Sequence, residues 1–181
     1  MIKWLLRRRI DAFEKEYDYD ASYLREILDV SARAFLKFGR VMGITTYRKD
    51  VPRDASFAAG LATTLAEDCG PCSQLAVTMA EREGVAPATI KAVLAGDERA
   101  MTPEAALGYR FAQATLRHDP TADALRDEIV ARWGRRALVS LAFGITAGRM
   151  FPTLKYALGH GKICSLIKVG GAQTQVARKA A

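Results

Sequence analysis

The chain has 181 residues, half of them hydrophobic and about a quarter charged, with three cysteines and a net charge of +7. Such a length supports one domain, or one domain plus an extension, with a core large enough to need no disulfides. An odd cysteine count this low excludes a secreted disulfide framework and favours a reducing, cytoplasmic setting.

The start, MIKWLLRRRI, has too short an apolar core for a signal peptide, so none is expected. The longest apolar run, Ala137 to Gly148, is closed by Arg149 and falls short of the roughly 20 residues of a membrane helix. No membrane span is expected, and no nucleic-acid partner, because no binding motif or aromatic-basic interleaving is present. The last acidic residue is Glu128, which leaves a basic C-terminal third whose plain reading is a solvated face and a loose tail.

Taken in chain order, the pattern is helical almost throughout. Ile2 to Tyr17 places apolar and charged residues at helical spacing. Tyr23 to Met42 does so more strongly, with Leu24, Ile27, Leu28, Val30, Phe35, Leu36 and Phe38 on a broad apolar stripe. Gly43 and the loop through Pro52 end that unit. Ala55 to Ala66 is alanine- and leucine-rich, hence helix-prone. After the EDCGP break, Pro71 opens a helix that stops at Gly84, and Pro87 opens a short one. Thr102-Pro103-Glu104 caps a helix to about Arg117. Ala122 to Trp133 is helical, Gly134 interrupts, and Arg135 to Leu158 continues with a kink expected at Pro152. No strand is expected. The division is a helical extension over 1–50, a helical core over 51–169 and a flexible tail over 170–181. The basic amphipathic patch of Trp4, Leu5, Leu6 and Arg7 to Arg9 suits a subunit interface better than a membrane surface.

Two of the three cysteines lie in EDCGPCSQ as Cys69-Gly70-Pro71-Cys72. A helix N-terminus presents unpaired N–H groups and partial positive charge, which favour thiolate and lower a cysteine pKa. Two thiols one turn apart can reach each other and close a disulfide. With alternating strands and helices this motif would read as thioredoxin-like; the strands are missing here.

The segment from Ala55 to Lys162, with DCGPCSQLAV, GVAPATIKAVLAGDERAMTPEAALGYRFA and ALVSLAFGITAGRMFPTLKYALG in that order, resembles the carboxymuconolactone decarboxylase and alkyl hydroperoxidase D-like family. Residues 1–50 lie largely outside the resemblance. It implies an all-α, alkyl hydroperoxidase D-like helical bundle that is typically homo-oligomeric. It also implies a thiol peroxidase or thiol-disulfide oxidoreductase acting on a hydroperoxide or disulfide, re-reduced by a partner protein or small thiol, with no cofactor. By match, Cys72 attacks the peroxide and Cys69 resolves it; the helix-terminus argument alone leaves that order open. Two features of the family's peroxidase motif are not matched. Its histidine position is Ala76 and its glutamate position is Phe57. General acid-base help is worth about 10²–10⁴-fold where it exists. The chain is then a slower peroxidase, a redox protein with a rearranged relay, or a silent relative.

For a rearranged relay the sequence offers Glu67 and Asp68 beside Cys69, of which Glu67 is the candidate catalytic carboxylate. Gln74 can hydrogen-bond a sulfur but not take its proton, and His118 at a helix end suits capping. In the family's decarboxylase branch, Arg149 or Lys155 would hold a carboxylate, with obvious bases scarce. Two readings of other classes remain. Cys69, Cys72, His160 and Cys164 would make a Cys₃His set for structural zinc, although nothing in the sequence brings the two segments together. A helical oligomerisation or interaction module would keep the fold without the reaction.

Overall fold

Small residues decide which helix becomes the centre. In the computed structural model, which describes residues 2–161 and 166–176, the alanine-rich helix α4 (Arg53–Ala66) is buried along most of its length. It packs against α7 (Pro103–Arg117) and the long α8 (Thr121–Ala157). Ala59, Ala62, Leu107, Phe111, Ala112, Ile129, Leu141 and Ile145 fill the contact. Gly108 lets α7 approach so closely that a Cβ there would lie 2.3 Å from the Ala55 carbonyl oxygen. Gly148 does the same for α8, where a Cβ would meet Thr63 at 2.8 Å.

Helices α5 (Gly70–Arg82) and α6 (Pro87–Ala95) complete a second cluster against α4, around Phe57, Leu61, Val77, Ile90 and Val93. The N-terminal helices α1 (Ile2–Tyr17), α2 (Ser22–Val30) and α3 (Ala32–Met42) enclose a third, built on Leu6, Ile10, Tyr19, Tyr23, Leu24, Leu28 and Phe35. Leu75 of α5 and Leu154 and Leu158 at the end of α8 pack into it. Residues 1–50 therefore lie across the start of α5 and the end of α8. Trp4 and Leu5 stay exposed, with the Arg8 guanidinium 4.9 Å from the Trp4 ring, while Leu6 points inward.

The helical reading holds over the described residues, including the Thr102 cap, whose Oγ1 accepts from the Ala105 amide at 3.2 Å. Three details differ. The stretch from Tyr23 to Met42 breaks at Ser31, which is extended and caps α3 by accepting from the Ala34 amide. Helix α8 bends at Gly134 (φ 83°) but keeps helical dihedrals through Pro152. By length and composition α8 also suffices to cross a membrane, more than the run from Ala137 to Gly148 suggested; here Ala137, Leu141 and Ile145 are buried within the protein.

The third difference is a hairpin where no strand was expected and a loose tail was placed after Val169. Strands β1 (Leu166–Val169) and β2 (Ala172–Gln175) pair antiparallel across Gly170 and Gly171. Both glycines have positive φ, 59° and 77°, as a two-residue turn matching strand twist requires. The alternation that drives it is short: Ile167 and Val169 are buried and Lys168 is exposed. The Gln74 side chain clamps the Lys168 backbone, donating to its carbonyl (3.1 Å) and accepting from its amide (2.8 Å).

Gly108→Ala sets two known effects against each other. Alanine gains about 1 kcal/mol of helix propensity, but overpacking costs about 1–3 kcal/mol, and here the obstacle is backbone. The variant is expected to unfold at a lower denaturant midpoint than the parent. Gly144→Ala, with open space around the new methyl, should unfold at the same midpoint or higher. A Gly108→Ala midpoint at or above the parent's would contradict the close α4–α7 approach.

Candidate active site

The cysteine pair is placed by a tight reversal between α4 and α5. Asp68 takes a left-handed conformation (φ 49°) just past the end of α4. The amides of Asp68 and Cys69 return to the Leu65 and Thr64 carbonyls. The Tyr156 hydroxyl holds the turn from outside, donating to the Asp68 carbonyl at 2.9 Å. The next helix starts at once, with Cys69 at its N-cap and Pro71 in its first turn. One helical turn then sets the Sγ atoms of Cys69 and Cys72 2.6 Å apart, both buried.

What covers the pair comes from distant segments. Tyr19, in the loop between α1 and α2, and Tyr23, at the start of α2, are both buried. Against both of them sits Lys155 of α8, only 2 % exposed. Its Nζ is 3.1 Å from the Tyr19 hydroxyl, 4.7 Å from the centre of the Tyr19 ring and 5.2 Å from that of Tyr23. Among the described residues this ammonium pairs with no carboxylate. Tyr19 is also an electrostatic neighbour of both thiols.

These surroundings split the two thiols. Cys69 is held down to about 7, chiefly by the hydrogen bond from the Cys72 thiol, then by the Cys72 amide and the Lys155 charge, against burial and the Asp68 carboxylate. The Cys69 side chain forms no cap bond, so the amide acts through the field of the helix N-terminus. Cys72 is pushed well above the ordinary range because it donates to Cys69, is buried and faces that neighbour's negative charge; Lys155 and Tyr19 pull it back. The first proton of the pair therefore leaves near neutrality, with the charge on Cys69. Burial, foremost, raises both tyrosines far above their usual range, and they remain phenols.

The other sequence candidates fall elsewhere. Glu67 ends α4 and is ion-paired to Arg149, Oε1 to Nε at 2.8 Å. Gln74 faces the hairpin. Phe57 is core, under the Arg48 guanidinium at 4.6 Å, and Ala76 packs beside the same cluster. His118 ends α7 in a left-handed conformation. His160 ties the end of α8 to α2, with Nδ1 3.1 Å from the Ser22 Oγ and Nε2 2.6 Å from Glu26. Both its ring nitrogens are thus engaged away from a metal. Cys164 lies outside the described residues, and among those described no three His, Cys, Asp or Glu side chains gather as a metal site. Lys155, read from sequence as a holder of substrate carboxylate, is instead a buried neighbour of the thiols. Tyr19 and Tyr23 were missed altogether.

No protein-family model, curated protein or solved structure matches the chain.

Because Cys69 ionises near 7 against an ordinary 9.0, thiolate should appear as pH rises through about 7. Ultraviolet thiolate absorbance followed against pH checks this. Lys155→Met removes a charge that lowers both thiols and should move the midpoint upward. A parent midpoint at the ordinary value, or one indifferent to Lys155→Met, would contradict the assignment.

Proposed function

We propose that Cys69 and Cys72 form a redox pair cycling between dithiol and disulfide, and that the chain is a thiol peroxidase or thiol-disulfide oxidoreductase of the alkyl hydroperoxidase D-like type. The observation that carries this reading is the pair itself: two sulfurs 2.6 Å apart at a helix start, beside a buried ammonium. A thiolate is the nucleophile in both chemistries. With a hydroperoxide, the thiolate takes the distal oxygen as a sulfenic acid, the alcohol leaves, and the second thiol displaces water to close the disulfide. With a disulfide substrate, the thiolate forms a mixed disulfide and the second thiol releases the substrate as two thiols. A reducing partner protein or small thiol then restores the pair. The local field favours Cys69 as the thiolate, the reverse of the order implied by the family resemblance. A homo-oligomer in the cytoplasm belongs to the same proposal.

One observation favours a second reading. Both cysteines are nearly closed to solvent, 1 % and 6 % exposed, as in a helical interaction module whose cysteines only pack.

Alkylation mass spectrometry on the native protein separates the two, before and after one equivalent of hydroperoxide. The redox reading expects the tryptic peptide over 54–82 to lose two hydrogens and both alkylation sites, with reductant restoring them. Cys69→Ser and Cys72→Ser should each abolish the internal link. If all three thiols stay free, the packing reading takes its place.

A further inference from the structure

Lys155 has no evident business in the core. It occupies the inward position of α8 that Ala137, Leu141, Ile145 and Pro152 occupy before it, yet carries a charge. A buried ammonium needs compensation. Here it has one neutral hydroxyl, two aromatic faces and a thiol pair. That hydroxyl and the ammonium are both close enough to the cysteine pair to act on its charge, so the hydrogen-bonded Lys155–Tyr19 unit stands beside the reacting sulfurs. Tyr19 belongs to one buried cluster with Ala21, Tyr23, Leu24 and Leu28.

We propose that Lys155 and Tyr19 are the proton-donating pair of this site: Tyr19 gives its hydroxyl proton to the departing oxygen of a hydroperoxide, and the Lys155 ammonium refills it. The inference rests on the redox reading above and names the groups that make it work. In this proposal Tyr19 is the catalytic residue, since it gives its proton to the reacting oxygen, and Lys155 acts through it. Tyrosine alone would be a reluctant acid because burial holds its proton tightly. Coupling donation to the ammonium avoids a free phenolate.

The step balances. The Cys69 thiolate attacks the distal oxygen, forming S–O and breaking O–O. The bond's electron pair leaves on the alkoxide, which takes the Tyr19 proton and becomes the alcohol. Lys155 passes a proton to Tyr19 and is left neutral. The Cys72 thiol then attacks the Cys69 sulfenic acid; S–S forms and S–O breaks. The thiol proton joins the departing hydroxide as water, and solvent returns a proton to Lys155. The two sulfurs together lose two electrons and the peroxide gains them.

The test compares two oxidants on the full chain, following disulfide formation by quenched alkylation. tert-Butyl hydroperoxide expels a strongly basic alkoxide that needs a proton. Peracetic acid expels acetate, which does not. Tyr19→Phe should slow the alkyl hydroperoxide reaction about 100-fold and the peracid reaction far less. Lys155→Met should follow the same pattern. Lys155→Arg keeps the charge but cannot give up its proton, and should stay slow with the alkyl hydroperoxide. Equal losses with both oxidants would mean that the pair only shapes the site. Parent rates in Tyr19→Phe would remove the donor, and parent rates in Lys155→Arg would remove the refilling step. Either result overturns the proposal. Tyr19→Phe keeps the ring, so its contrast between oxidants decides even where a Lys155 variant fails to fold. If the parent itself forms no Cys69–Cys72 disulfide with either oxidant, the redox reading falls and this inference with it. If the parent reacts and the variants match it, only the proton-donating pair falls.

Discussion

A lysine ammonium closed off from water is the constraint around which this molecule is arranged. The effective cost of burying a charge is several kcal/mol. A hydrogen bond from a charged group returns about 1.5–3 kcal/mol, and a desolvated cation over an aromatic face about 2 kcal/mol. Lys155 has one such bond and two such faces, and it lies in the last turn of α8, where backbone carbonyls favour a cation. Those terms bring the site near balance only while Tyr19 and Tyr23 stay in place. The N-terminal helices are therefore tied to the rest of the chain by a charge as well as by Leu75, Leu154 and Leu158. Ion pairs on the outside, such as Arg82 with Glu16 at 3.0 Å, are exposed and worth little beside this.

One close approach puts the lysine where the thiols are. Gly148 brings α8 against Thr63 of α4, less than a turn before α4 ends in the reversal that carries Cys69. From Gly148 the inward face of α8 continues through Pro152 to Lys155. The glycine contact and the lysine are thus two points on one stripe, roughly 10 Å apart at 1.5 Å per residue. A shift of α8 along α4 would move the charge by the same amount. Small-residue packing in the middle of the bundle thereby sets the electrostatics at its end.

Much of this was legible beforehand, for reasons that can be named. Helices with proline near the start and a turn residue after the end could be read because their signals are local, and Pro71, Pro87, Thr102-Pro103 and Gly134 each mark a real boundary or bend. The cysteine spacing could be read because one turn of helix fixes the distance between the sulfurs. The hairpin was missed because its alternation is three residues long and the Gln74 clamp that holds it is 94 positions away. Glu67 was a reasonable candidate by adjacency, but Arg149, 82 positions on, takes its carboxylate. Tyr19 and Tyr23 sit in a segment with no spacing signal toward the cysteines. Lys155 did have a signal: it falls in step with 137, 141, 145, 148 and 152, so a charge on the apolar stripe was visible in the pattern.

That misplaced charge bears on whether the cysteine pair is merely packed. A core position that serves only stability is better filled by leucine or methionine, because replacing buried charge with apolar volume is often neutral or stabilising. The same holds for two tyrosine hydroxyls enclosed with it, each needing a partner when buried. Three polar groups at one apolar interface, from two separate stretches of chain, gather beside two thiols one turn apart. Local rules are broken together where a site is held ready for chemistry and the rest of the core bears the cost. A scaffold that had lost its reaction would have no reason to keep the lysine in its core, and this is the weight that favours the redox reading over the packing one.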